Sequence, residues 1–553
     1  MSVLSRRQLL SSTPALALAA ASTSLAAPAI AKDVDQNAVM TSAADIIATE
    51  HGAIRGFSIG RTHVFKGIPY AQTGGQAGRF TAARPPTPWK GVRETLSYGP
   101  ICPQIAPGAG ISPNAAFLLP RNFTVQDEEC LSLNLWSPGL DLQARHPVMV
   151  WIHGGEFSAG ASNELAVYDG LHLARDGNVV VVSVNHRLNV LGFLNLEGLG
   201  AGEFWNGKAN LGMLDIVSAL EWVRRHIGQF GGDAGNVTLF GQSGGGLKIT
   251  TLMAMPAAKG LFHKAIVQSG SETKIFRPHI TQGFGTALLD LLQLTPKTAD
   301  RLRSMPIATL IAASEKATAQ SAQFPVIGHR IWSFVGWAPT LDGHVIPHDP
   351  YVADNHDFQN VPLLVGSARH EFSPAVFLPA MAGITDAEIV EKLAQVEGTR
   401  AAEIVGIFRR RSPSATPALL YAEISTQAFN GRNAAEQARL KAAQNGAPAY
   451  LYRFSWQTKL LDGTPGAFHG SELPFVFRNI DLCPVGDLAP ATRLMDDVSR
   501  SWIAFARTGD PNHKSLARWA PVTADSLQTM IFDTTSHVEN DPDRSLRDAV
   551  GQI

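Results

Sequence analysis

The chain is poor in cysteine, in net charge and in long apolar runs, and each shortage removes a class of function. Cys102, Cys130 and Cys483 are the only cysteines in 553 residues. None stands in a C-x-x-C pair and no histidine-rich tract accompanies them, so neither a metal site nor a cofactor is expected. Formal net charge is -1 at pH 7, and no run of Lys and Arg interleaves with aromatics, so a nucleic-acid partner finds no electrostatic footprint. No apolar run reaches the roughly 20 residues that a membrane-spanning helix needs. Repeats of solenoid period and low-complexity linkers are missing too, which leaves one globular body as the expectation.

What is present fits that body: 45% of the residues are hydrophobic and 17% charged, enough apolar material for a large core. The amino terminus differs in kind. "SRRQLL", Ser5 to Leu10, leads into an Ala/Leu-rich run to Ala21 and then "APAIA", ending at Ala31. A charged start, a short apolar stretch and a small-residue A-x-A form the layout of an export signal, and the paired Arg6-Arg7 resembles the twin-arginine type. Residues 1–31 are therefore read as a signal peptide and 32–553 as one catalytic domain, periplasmic or secreted and without a membrane span once the signal is removed. In such a compartment two of three cysteines can bridge. Cys102 and Cys130 are 28 positions apart, a loop whose closure stabilises by roughly 3 to 4 kcal/mol in the chain-entropy model.

G-x-S-x-G occurs twice, as "GFSIG" around Ser58 and "GQSGG" around Ser243. With 50 Gly in the chain and serine near an ordinary ~6%, chance alone supplies about 0.3 such matches, so context must decide. Ser58 lies in the short, alternating, glycine-punctuated stretch from Thr49 to Tyr70, which reads as an antiparallel hairpin. Ser243 follows the apolar run "NVTLFG", Asn236 to Gly241, and precedes a helical pattern, "LKITTLMAMPA". A strand, a glycine-lined turn and a helix make a nucleophile elbow, where the serine takes a strained backbone and neighbouring Cβ atoms would collide. "PVMVWIHGG" and "NVVVVSVNHR" supply two more buried-strand runs, Val148 to Ile152 and Val179 to Val184. "LGMLDIVSALEWVRRHIGQF" is a helix between strands, which implies right-handed parallel crossovers. The glycine turn "HGGEF", His153 to Phe157, directly follows one of these strands, where main-chain N–H groups can face a cleft and stabilise an oxyanion.

Landmarks in the same order extend from Thr49 to Phe532: "FKGIPYA" at Phe65, "YGPICPQ" at Tyr98, "EECLSLNLW" at Glu128, "VNHRLNVLGFL" at Val184, "ALEWVRRHIGQFGGDAGNVTLFGQSGGG" at Ala219, "GAFHGSELPFVF" at Gly466 and "FARTGDPN" at Phe505. Together they resemble the type B carboxylesterases, the cholinesterase-like branch of the α/β-hydrolases. The resemblance implies an α/β fold with a large, mostly parallel central sheet flanked by helices, an N-terminal antiparallel hairpin, and helical insertions, here a lobe over about 281–436. It implies Ser243 as nucleophile, His469 as general base and Glu371 as the acid, with Glu472 and Asp342 as competing carboxylates. It places the oxyanion donors on the N–H groups of Gly155, Glu156 and Gly244, gives Ser269 a supporting hydrogen bond near the acid, and pairs Cys102 with Cys130.

Two departures from the family pattern stand out. Gln242 replaces the usual Glu before the serine, which removes a negative charge and points to an uncharged small-molecule ester rather than a choline ester. "GSARHEF", Gly366 to Phe372, replaces a "GTNxDEG" pattern around the acid. The expected activity is ester hydrolysis through an acyl-enzyme. The alternatives are a specialised hydrolase of lipid, carbamate, pyrethroid or amide bonds with the same triad, and a non-catalytic binding member of the family.

Overall fold

Val180–Val184 reads VVVSV and every one of its residues is buried. Such a run has no polar face, so it belongs inside a sheet covered on both sides. The computed structural model describes residues 37–105, 111–122, 125–320, 328–329, 332–333, 336–352 and 355–551; the expected signal at 1–31 lies outside them. Among the described residues a 12-stranded sheet is built around a parallel centre. In spatial order that centre runs Val180–Val184, His146–Ile152, Gly232–Gln242, Lys264–Gln268, Leu363–Ala368, Ala449–Phe454 and Gln528–Phe532, each parallel to the next. Antiparallel strands close both flanks: Ser132–Ser137, Thr62–Pro69 and Phe57–Ile59 on one side, His537–Asn540 on the other.

Alternation along these strands divides the core in two. Val148, Val150 and Ile152 pack into one apolar cluster with Ile216, Leu220 and Val223 of the helix Leu211–His226. Met149 and Trp151 point the other way, into a cluster with Leu494, Val498 and Trp502 of the helix Leu488–Thr508. Successive side chains of a strand leave on opposite faces, so one strand feeds both layers. Each fully buried Val, Leu or Ile contributes roughly 1.5–3 kcal/mol, and changing the register by one residue would exchange the two faces. The long helix stops at Gly509, whose φ of 81° closes its C-terminus in a left-handed turn.

The helical lobe differs from its expected form. Helices do crowd the region, among them Pro278–Leu291, Ile307–Gln320, Asp386–Glu397, Ala401–Arg411, Pro417–Ala428 and Asn430–Ala443. The central strand Leu363–Ala368 nevertheless runs through the middle of it. Its sequence, LLVGSA, is buried on both faces and carries no alternation to mark it as a strand. No helix of the described residues is long and apolar enough to cross a membrane, and no His, Cys, Asp or Glu group among them is arranged to hold a metal ion.

Candidate active site

The chain places Val180–Val184 on one side of His146–Ile152, then crosses to lay Gly232–Gln242 on the other. Ligands of open α/β sheets bind where the strand order reverses in this way, outside the carboxyl ends of the strands. The expected site residues gather there. Gly155 and Glu156 follow Ile152, Ser243 and Gly244 follow Gln242, Ser269 follows Gln268, and Glu371 lies three residues beyond Ala368. His469 reaches the same pocket from the loop after Ala449–Phe454.

Ser243 has φ 57° and ψ -126°, a backbone conformation that costs an L-residue of order 1–3 kcal/mol and persists only where the surroundings impose it. Its N–H donates to the Gln268 carbonyl at 2.7 Å, and the helix Gly244–Leu252 starts immediately after it. The glycines around it are required by contact. A Cβ on Gly244 would lie 2.2 Å from the Glu156 nitrogen, and one on Gly245 would lie 2.0 Å from the Ile152 carbonyl oxygen. The glycine turn Gly154–Glu156 therefore rests directly on the elbow. The N–H groups of Gly155, Glu156 and Gly244 take no hydrogen-bond partner among the described residues.

Glu371 and His469 meet across 98 residues of chain. The Glu371 Oε2 and His469 Nδ1 share a short hydrogen bond. Oε1 accepts from the Ala368 N–H at 2.8 Å, while the His469 N–H donates to the Glu371 carbonyl at 2.8 Å. Burial disfavours the charged imidazole, but the Glu371 charge and hydrogen bond, with Glu472 and Glu156 beyond, outweigh it and lift the His469 pKa above its ordinary value. With Nδ1 engaged by the acid, Nε2 is the free nitrogen. Ser243 and His469 line the same pocket with no hydrogen bond between them; contacts of this kind commonly close only around substrate.

The departures around the acid have physical roles. His370 is buried, and its Nδ1 accepts from the Ala467 N–H at 3.1 Å while its own N–H donates to the Ala467 carbonyl at 2.9 Å. It thus ties the loop of Glu371 to the loop of His469. Phe372 stacks on the His469 ring at 5.3 Å and 21°, and Phe377 meets it edge-on at 6.1 Å. Neither role was legible in the sequence, because the partner of each side chain is about a hundred residues away.

The remaining candidates fall elsewhere or act differently. Glu472 is buried and accepts from Gln268 Nε2 at 3.2 Å; burial, then the Glu371 charge, push its pKa up to about 7. Asp342 holds a turn, accepting from the His344 and Ile346 N–H groups. Phe157 and Phe372 line the pocket, whereas Phe468 does not. Gln242 is buried and does not line it. Ser269 lies on the pocket wall, but its Oγ forms no hydrogen bond to a protein group, so the support expected from it for the acid is not made. That support comes from Thr426 instead, whose Oγ1 accepts from the Glu371 N–H at 2.9 Å. Cys102 and Cys130 neighbour each other as buried free thiols rather than as the expected disulfide. Ser58, the other G-x-S-x-G serine, sits on the antiparallel strand Phe57–Ile59 and donates to the Met40 carbonyl at 3.5 Å.

A pocket of about 740 Å³, counting the space at its open mouth, joins these groups, with Phe157, Leu247, Phe276, Phe372 and Phe429 on its walls. Residues 43–547 match the model of the carboxylesterase family. The chain is 34% identical over 508 residues to the para-nitrobenzyl esterase of Bacillus subtilis (strain 168), covering 91% of this chain and 97% of that one. It is 33% identical over 483 residues to the phenmedipham hydrolase of Pseudarthrobacter oxydans, 85% of this chain and 91% of that one. Among solved structures, an esterase from anaerobic Clostridium hathewayi that can hydrolyze aliphatic aromatic polyesters superposes with a TM-score of 0.77 at 35% identity, over 93% of this chain and 99% of that one. With this sheet, this pocket and these relatives, the chain belongs to the carboxylesterase family and is a carboxylic ester hydrolase of α/β-hydrolase fold.

Proposed function

We propose that the protein is an exported serine esterase in which Ser243, His469 and Glu371 form the catalytic triad. The observation that carries this reading is the Glu371 to His469 hydrogen bond opening onto the pocket that Ser243 also lines. His469 Nε2 takes the Ser243 proton as Oγ attacks the ester carbonyl carbon, and Glu371 steadies the imidazolium that forms. The negative charge on the former carbonyl oxygen is met by the N–H groups of Gly155, Glu156 and Gly244. Collapse expels the alcohol, which takes the proton from His469 and leaves an acyl-Ser243. Water then gives its proton to His469, attacks the acyl carbon, and the acid departs as Ser243 regains a proton.

The aromatic and aliphatic side chains that share the pocket wall with Glu156, Glu272 and Lys274 suit the apolar parts of a small ester, and Gln242 in place of a carboxylate points to an uncharged one. The amino-terminal sequence to Ala31 supports export to the periplasm or beyond. The test is hydrolysis of p-nitrophenyl acetate and butyrate by the mature chain, beside Ser243→Ala and Ser58→Ala, with intact mass after a fluorophosphonate probe. Only Ser243→Ala should abolish turnover and labelling; a wild-type protein that neither turns over nor labels refutes the reading. Faster turnover of a choline ester than of its neutral isostere would refute the charge preference.

A further inference from the structure

Gly155 and Glu156 stand at φ 81° and 55°, two left-handed residues in succession in the turn that faces Ser243. A backbone of this kind keeps its shape only where its surroundings impose it. Within the turn, the Gly155 carbonyl accepts from the Ser158 and Ala159 N–H groups at 3.2 and 3.0 Å, and at the far end the Phe157 carbonyl accepts from the Asn189 N–H at 2.7 Å. The near end is held differently. The His153 carbonyl takes no main-chain donor among the described residues; it accepts from a side chain, Lys248, whose Nζ lies at 3.0 Å.

Lys248 is 0% exposed. Burying such a group is unfavourable, and an apolar side chain of similar volume in its place is often as stable or more so. Stability therefore does not account for a lysine here, and a broken local rule of this kind marks function. Its place in the fold supplies the use. The helix Gly244–Leu252 begins directly after Ser243, and the Leu247 N–H closes its first turn on the Ser243 carbonyl at 3.1 Å, so Lys248 is joined to the nucleophile by a rigid segment. Its Nζ also stands 5.8 Å from the Phe157 ring centroid, within reach of the ring face. One side chain of the nucleophile helix thus meets His153 before the glycine turn and Phe157 after it. The His153 ring is fixed separately, by Nδ1 against the Gly154 carbonyl at 2.9 Å and by stacking on His186 at 4.9 Å.

We propose that Lys248 is a positioning residue that ties the glycine turn to the nucleophile helix, so that the N–H groups of Gly155 and Glu156 keep their place relative to Ser243 when the oxyanion forms. This rests on the acyl-enzyme reading above. Lys248 does not act on the substrate; it acts through the His153 carbonyl and the Phe157 ring. The donors it places meet a charge that develops only in the transition state, so its loss falls on kcat rather than on KM. Because the lysine serves placement rather than stability, the fold without it is as stable as before or more so.

The test is Lys248→Met, which keeps an unbranched apolar stem and removes the donor. It is compared with wild type in kcat and KM for p-nitrophenyl acetate, in the inhibition constant of an alkyl trifluoromethyl ketone, and in the urea unfolding midpoint. The ketone adds to a nucleophilic serine and carries an oxyanion, so its affinity reads the turn without turnover. In the variant kcat should fall about tenfold or more while KM stays within about twofold. Ketone binding should weaken in step with kcat, and the urea midpoint should hold or rise. A kcat and a ketone affinity both within about twofold of wild type overturn the proposal, as does a loss that falls on KM. So does a lowered midpoint or a variant that fails to fold, since the lysine would then be structural. Fluorophosphonate labelling of wild type separates the two readings. A labelled enzyme whose Lys248→Met variant keeps its kcat overturns only the positioning role, whereas an unlabelled one overturns the acyl-enzyme on which it rests.

Discussion

Gly244→Ala is a single methyl placed where the elbow and the glycine turn touch. The added Cβ would lie 2.2 Å from the Glu156 nitrogen, 2.3 Å from its Cα and 2.5 Å from its carbonyl oxygen, whereas real Cβ contacts essentially never fall under 3.0 Å. All three obstacles are main-chain atoms, so no side chain can swing aside. The turn must open by at least 0.8 Å, the difference between 2.2 and 3.0 Å. Displacements near 1 Å in a catalytic constellation cost about 10²-fold in rate, and overpacking of this kind costs about 1–3 kcal/mol of stability. The expected outcome is therefore a kcat for p-nitrophenyl acetate reduced about 100-fold with KM little changed, because the proposed oxyanion donors would act on the transition state. Steady-state kinetics with a urea unfolding midpoint on the same preparation measures both effects. A variant within twofold of wild type in kcat would show that the turn yields freely, and the co-adaptation of Gly244 with Glu156 would have to be abandoned.

Three further outcomes follow from the same site. The acid limb of kcat/KM for a neutral ester should have its midpoint above 6.5, because the Glu371 charge and hydrogen bond outweigh burial at His469 and only the neutral imidazole accepts the serine proton; a midpoint at or below 6.5 contradicts the pairing. Ser269→Ala removes a buried hydroxyl that has no protein partner, so activity should stay within about twofold and stability should hold or rise slightly; a large loss of kcat would restore the supporting role. Glu472 is raised in the folded state to about 7 from an ordinary 4.5, so its share of stability is present below about 4.5 and is lost as pH rises through 7. Glu472→Gln should therefore flatten stability against pH between those values by up to about 3 kcal/mol, and an unchanged slope in urea titrations across that window would contradict the assignment.

Local patterns decided a good deal on their own. The apolar runs before His153, Asn185 and Ser243, the helix Leu211–His226 between strands, and the glycines around Ser243 are legible because strand, turn and helix preferences act over a few neighbouring residues. The same locality separated Ser58 from Ser243: one match lies in alternating hairpin sequence and the other between a strand and a helix. The tertiary structure decided whatever depends on residues far apart in the chain. It chose Glu371 over Glu472 and Asp342 as the partner of His469, put Thr426 rather than Ser269 behind the acid, and left Cys102 and Cys130 as thiols. It also threaded the strand Leu363–Ala368 through helices that, read alone, looked like a continuous lobe. Lys248 shows the reason most plainly. In the sequence it is one lysine in a short helix, and its complete burial with Nζ on the His153 carbonyl follows from two strand ends meeting in the sheet, a contact that no local preference encodes.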